Sequence, residues 1–191
     1  KILHWDGTNK TVPNTQDEDG NYIIDTAEKL AWIVGQTDAS LTRGKNYKVA
    51  DDISAFILLP ESIGVTAEGI MACTTAAETK AYLDSKPSRT NYPWVTKTGT
   101  VFAGNFDGNG VEIYGEVGHW DKGGPGIFGM VAQGVTLKNF AVKNSYIYKT
   151  DNYMGAVFGG VNATENGTVT IENVVVSGCY FWVENKGDSR Y

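Results

Sequence analysis

Val135-Thr-Leu-Lys-Asn-Phe-Ala-Val-Lys-Asn-Ser-Tyr-Ile-Tyr148 is the stretch that decides the fold, because it recurs as Val169-Thr-Ile-Glu-Asn-Val-Val-Val-Ser-Gly-Cys-Tyr-Phe-Trp182. The two blocks align without gaps, share five identical residues and keep the residue class at most other positions. A Phe-Gly pair precedes each, at Phe128-Gly129 and Phe158-Gly159, and Thr164-Glu165-Asn166-Gly167 reads as a small insertion in the second copy. A weaker echo sets Gly110-Val-Glu-Ile113 against Gly134-Val-Thr-Leu137 at an offset of 24 residues. Self-similarity on this scale marks a chain built from stacked units.

Inside the blocks the apolar positions are Leu137, Phe140, Val142 and Ile147, then Ile171, Val174, Val176, Cys179 and Phe181. They follow period two, broken once at a Lys-Asn or Glu-Asn step, so each block reads as a short strand, a bend and another short strand. The fold class is therefore mainly β, a parallel solenoid in which each coil buries its inward row on the next. Asn139 and Asn173 fall at equivalent inward bends, where their amides can hydrogen-bond along the axis. Cys179 points inward opposite Ser145, as a free thiol or as half of a bridge to Cys73. Tyr146, Tyr148, Tyr180 and Trp182 alternate with the inward row and form an outward aromatic strip. Such a strip stacks on sugar rings or anchors a protein interface, or else packs beneath a loop, a neighbouring subunit or more of the chain.

Upstream, Gly104-Asn-Phe-Asp-Gly-Asn-Gly110 carries tandem Asp-Gly and Asn-Gly steps, the signature of a tight reversal between strands. It lacks the spacing and the strand-before, helix-after context of a phosphate loop. Ala27, Leu30, Ala31 and Val34 lie on one stripe of a short amphipathic helix, capped by Asp25 or Thr26 and ended by Gly35. Lys45 to Ile53 reads as an exposed strand leading to the acidic turn Asp51-Asp52. Thr75-Ala-Ala-Glu78 has capping-box spacing before a second short helix over residues 76–85. The chain thus divides into an N-terminal cap and first coil (1–59), an insertion bearing that helix (60–98) and the repeated coils (99–191).

Composition sets the outer bounds. The chain has 191 residues, 41% hydrophobic and 12% aromatic, with 23 Gly and 5 Pro, which suits one globular domain and contains no apolar run long enough to span a membrane. Two cysteines rule out a disulfide scaffold. A net charge of −6 and a pI near 4.9, with no clustered basic face, argue against a nucleic-acid partner. The start at Lys1 reads as a trimmed or mature form, and the sequons at Asn9, Asn162 and Asn166 are no more than this composition gives by chance. Glu184 to Tyr191 is short and polar, so the last coil is expected to continue into further domains of the same chain or to pair edge to edge with another chain.

Several motifs, in order, resemble one family: Tyr22-Ile-Ile-Asp-Thr-Ala-Glu-Lys-Leu-Ala-Trp-Ile33, Asn46-Tyr-Lys-Val-Ala-Asp-Asp-Ile53, Phe102-Ala-Gly-Asn-Phe-Asp-Gly-Asn-Gly110, Gly126-Ile-Phe-Gly129 and the Val-Thr-Leu-Lys-Asn block. Together they look like bacterial surface proteins with GLUG repeats. That resemblance implies a right-handed parallel β-helix with a helix over its N-terminal end, exported to the cell surface or beyond as a module of adhesin-like chains. The inserted helix near Thr75 departs from the pattern.

Three site readings follow. Asp17, Asp19, Asn21, Asp25 and Glu28 stand at positions 1, 3, 5, 9 and 12 of an EF-hand-type calcium loop, yet Tyr22 occupies the position that needs Gly and Pro13 lies in the incoming segment. A plain acidic turn is the reading the residues favour, with calcium as the other one. His119-Trp120-Asp121, among glycines, is an exposed-loop contact candidate beside the aromatic strip. The acids gather in turns, at Asp51, Asp52, Asp107 and Asp121, rather than at outward strand positions, and no nucleophile-base constellation is recoverable. The function expected is non-catalytic recognition of a host glycan or surface protein without a cofactor, with a polysaccharide-cleaving β-helix enzyme as the alternative.

Overall fold

The computed structural model describes residues 1–94, 99–118, 126–149, 154–162 and 167–183. In chain order its elements are β1 (Ile2–His4), β2 (Tyr22–Ile24), α1 (Ala27–Val34), β3 (Asn46–Val49), β4 (Ala55–Ile57), α2 (Ala67–Met71), α3 (Ala76–Asp84), β5 (Val101–Phe102), β6 (Asn105–Tyr114), β7 (Val117–Gly118), β8 (Met130–Ala132), β9 (Thr136–Lys143), β10 (Tyr146–Lys149), β11 (Gly160–Asn162), β12 (Thr170–Ser177) and β13 (Tyr180–Val183). The chain is mainly β, and every pairing between these strands is parallel.

From Val101 onward the chain visits three sheets in the same order three times. β5, β8 and β11 pair in one sheet, β6, β9 and β12 in a second, and β7, β10 and β13 in a third. The register is the one in which the two sequence blocks align: Leu137 pairs with Ile171, Val142 with Val176, and Ile147 with Phe181. Because parallel neighbours in register place like side chains side by side, repetition in sequence becomes columns in space. The earlier strands extend the second sheet. β3 and β4 share the far side of β6, and β2 and β1 lie beyond them, so Tyr22, Tyr47, Phe106, Leu137 and Ile171 form one column and Leu3, Phe56, Ile113, Val142 and Val176 another.

Inward columns make the main core. Phe102, Phe106, Phe128 and Phe140 cluster with ring centroids 4.9–6.0 Å apart. α1 closes the end beneath Ile24, with Ala27, Leu30, Ala31, Ile33 and Val34 buried. Its N-cap is Thr26, whose hydroxyl accepts from the Lys29 amide, and Glu28 sits in the first turn where the helix dipole favours it. Leu30, Ile33 and Val34, fully buried, each stabilise the fold by about 1.5–3 kcal/mol. A second cluster lies on the outer face: Ala55, Ile57, Tyr114 and Val117 pack against Val65, Ile70 and Leu83 of the insertion. β4 is therefore buried on both faces, with Phe56 in the main core.

Four expectations need correction. The Gly104–Gly110 stretch is no reversal: from Asn105 on it is the first part of β6, where the register shifts between Asp107 and Val111. Phe106 pairs with Leu137 and Val111 with Phe140, so β6 carries two extra residues there and bulges. Asn109 at φ 53° and Gly110 at φ 83° bend the strand without turning it back, and a Cβ on Gly108 would meet the Phe140 Cβ at 2.5 Å. The echo of Gly110–Ile113 in Gly134–Leu137 is consequently not the pairing register. The Lys45–Ile53 strand is exposed only on alternate positions, since Tyr47 and Val49 are buried. Asn139 and Asn173 do hydrogen-bond along the stack, Nδ2 of Asn173 donating to Oδ1 of Asn139 at 3.1 Å, yet at the surface rather than inward, because Leu137 and Phe140 take the inward sites. The insertion, finally, holds two helices, α2 and α3.

Candidate functional site

The aromatic strip exists, and the insertion splits it. Tyr146 and Tyr180 stack at 5.3 Å between ring centroids, and Tyr148 and Trp182 meet edge-on at 6.0 Å, all alternating with buried Ile147 and its partner Phe181. α3 lies against β10 and β13. Arg89 sits 5.0 Å above the Tyr146 ring and Lys80 5.7 Å from the Tyr180 ring, while Asp84 holds both cations. Tyr146 and Tyr180 are thus half-buried parts of the docking between insertion and sheet. Trp182 remains 46% exposed, with Tyr148 half-buried beside it, and Trp182 is the accessible member of the strip. His119, Trp120 and Asp121 lie outside the described residues.

The five acidic-loop residues do not converge. Asp17 folds back on its own turn, accepting from the amides of Asp19 at 3.0 Å and Asn21 at 2.8 Å and from Asn21 Nδ2 at 2.9 Å. Those bonds from Asn21 hold the Asp17 carboxyl below its usual range. Asp25 pairs instead with Lys29 at 2.7 Å, and Glu28 belongs to α1. Among the described residues no group of three or more His, Cys, Asp or Glu is placed to hold a metal ion. Cys73 and Cys179 are both free thiols and half-buried; burial pushes the Cys179 thiol up.

Residue patterning alone missed a second surface. Along the outer face of β3, β6 and β9 runs a groove of about 350 Å³, lined by Asn46, Lys48, Asn105, Asp107, Thr136 and Lys138 among others. Nδ2 of Asn105 donates to Asn46 Oδ1 at 2.9 Å, and Oδ1 of Asn105 accepts from the Thr136 amide at 2.9 Å, so the three are fixed as one polar column. Lys48 stands 3.7 Å from Asp51, and Lys138 3.6 Å from Asp107. Both contacts exceed hydrogen-bond length, so each ammonium retains donors for a ligand. Asp51 and Asp52 sit in a turn as expected, but Asp107 does not: with Glu112 and Glu172 it occupies an outward strand position. Glu112 is engaged by Lys143 first and Tyr114 second, which hold its carboxyl low, and the hydrogen-bonded Tyr114 is itself raised, chiefly by burial. Glu116 is wholly buried and raised by desolvation, out of reach of any substrate on the outer face. The signal for this groove was the Lys138 and Glu172 pair in the aligned blocks, whose outward column becomes visible only once the partners of β9 are known.

Comparison with protein-family models, with curated proteins and with solved structures finds no match to this chain.

Proposed function

We propose that this chain is a right-handed parallel β-helix module of the GLUG-repeat, adhesin-like kind, exported to the bacterial cell surface or beyond, and that it recognises a glycan or a surface protein without catalysing a reaction. The threefold order of visits to three parallel sheets supports the architecture. The observation that carries the function is Trp182, nearly half exposed, with the half-buried Tyr148 set edge-on against it beyond the part of the strip that the insertion covers. Aromatic faces of that kind stack on sugar rings or fill interface pockets. The polar groove on β3, β6 and β9 supplies amide, ammonium and carboxylate groups of the sort that hydrogen-bond hydroxyls.

Trp182→Ala and Tyr148→Ala are expected to leave the melting temperature within about 1 °C of the parent, since neither site belongs to the buried core, and to weaken binding on a glycan or host-protein array by tenfold or so. Undiminished binding by both variants removes this reading. A cleaving enzyme is the second reading, favoured by Asp107 on the groove floor between Lys48 and Lys138. New reducing ends or unsaturated products from a panel of uronic-acid polysaccharides decide in its favour.

A further inference from the structure

The last described passage through the sheets leaves its inward row open. Ile171, Val176 and Phe181 are 48%, 45% and 41% exposed, whereas their register partners Leu137, Val142 and Ile147 are fully buried. Equivalent side chains in equivalent positions differ only in what lies beyond them. Among the described residues nothing pairs the far edge of β12, whose row of backbone donors and acceptors is a template for another strand.

The outward columns specify what that strand must carry. Lys48, Asp107, Lys138 and Glu172 stand in register on β3, β6, β9 and β12, so the sign of charge alternates along the column and ends on an acid. Its continuation is a cation. Beside it, Asn139 donates to Asp107 at 3.0 Å and Asn173 to Asn139 at 3.1 Å, so each of these amides reaches back one strand. A residue able to donate to the Asn173 amide oxygen continues that ladder. The apolar columns ending at Ile171, Val174 and Val176 ask for apolar side chains in the same rhythm.

We propose that this face takes an extended partner segment by strand addition, parallel to β12 and in register, with the pattern apolar, cation, Asn, apolar, any residue, apolar. The chain itself spells that pattern once, at Leu137-Lys138-Asn139-Phe140-Ala141-Val142. The inference uses the pairing register and the exposed apolar row and makes no use of Tyr148 or Trp182, so it stands apart from the glycan reading.

The test uses a fluorescently labelled synthetic peptide of residues 135–149 and the intact protein, read by anisotropy. The peptide binds saturably, and Lys138→Glu in the peptide weakens binding about fivefold, the size expected of one opposite-charge pair across strands. Glu172→Lys in the protein reverses the preference between the two peptides. Ile171→Asp, at an exposed position, abolishes binding of both while the protein melts as the parent does. Absence of saturable binding, equal affinities whatever the charge pair, or a concentration-dependent dimer that Val175→Lys dissolves would each overturn the proposal, the last by making a second copy the occupant.

Discussion

Glu116 is the residue whose chemistry is most altered by the fold. Its side chain is buried, with Oε1 accepting from the Gly126 amide at 2.6 Å and Oε2 without a partner. Desolvation outweighs that one hydrogen bond and lifts the carboxyl well above its ordinary value of 4.5. The folded protein therefore binds this proton more tightly than the unfolded chain. The resulting stability is complete below the ordinary value and is lost as pH rises from there through the raised folded value. Glu116→Gln, neutral at every pH, is expected to melt higher than the parent at pH 7 and level with it at pH 4. Thermal melts at the two pH values check this; an equal difference at both removes the argument. Asn139 offers a second test at this scale. It sits at φ 60°, donates to Asp107 and accepts from Asn173. Asn139→Ala and Asn139→Gly both delete the ladder, but only Ala adds the strain of a Cβ in the left-handed region, about 1–2 kcal/mol. Denaturant titration should place the Ala variant below the Gly variant by that amount.

Among the elements, the insertion and the repeated strands are joined through Asn144. Its Nδ2 donates to the carbonyls of Ile70 at 2.8 Å and Cys73 at 2.9 Å, its backbone turns at φ 47°, and Gly178 lies against it so closely that a Cβ there would come within 2.0 Å of Oδ1. Asn144→Ala leaves two carbonyls of α2 and its exit unpaired by this side chain and strains the turn, a loss of about 2–3 kcal/mol. That is expected to lower the melting temperature by about 4–10 °C and to expose Tyr146 beneath α3 to chemical iodination. α1 and α3 were legible in the sequence because their stripes and caps are local: Thr75 accepts from the Glu78 amide at 3.2 Å, as capping spacing demands, although the Glu78 carboxylate reaches Thr74 rather than Thr75. The stacking of β9 on β12 was legible because similar blocks pair in register. The bulge in β6 was not, since Asp-Gly and Asn-Gly favour positive φ whether the strand then reverses or continues, and only the neighbour, Phe140, decides which. The covering of Tyr146 and Tyr180 depends on residues far earlier in the chain, Arg89 over Tyr146 and Lys80 over Tyr180, and strand alternation carries no information about such a contact.

Across the whole molecule the two ends of the strand stack are unequal, and that inequality has a measurable consequence. At the β2 end, α1 seals Ile24, and the preceding segment is tied down by the Thr11 amide on the Glu28 carbonyl at 3.0 Å and the Ile23 amide on the Thr15 carbonyl at 2.9 Å. β6 and β9 have neighbours on both sides. β12 has only β9 among the described residues, and its inward side chains are nearly half exposed where those of β9 are buried. In a stack where each unit contacts only its neighbours, opening begins at the end with one interface and an uncovered row. Amide hydrogen exchange is therefore expected to be slowest in β3, β6 and β9 and fastest, by at least tenfold, in β12 and β13, with no matching loss of protection at β2. Equal protection of β9 and β12 would mean that this row is already covered. Adding the residue 135–149 peptide should then slow exchange in β12 and β13 while leaving β3 unchanged, because the peptide supplies the missing interface at one end only.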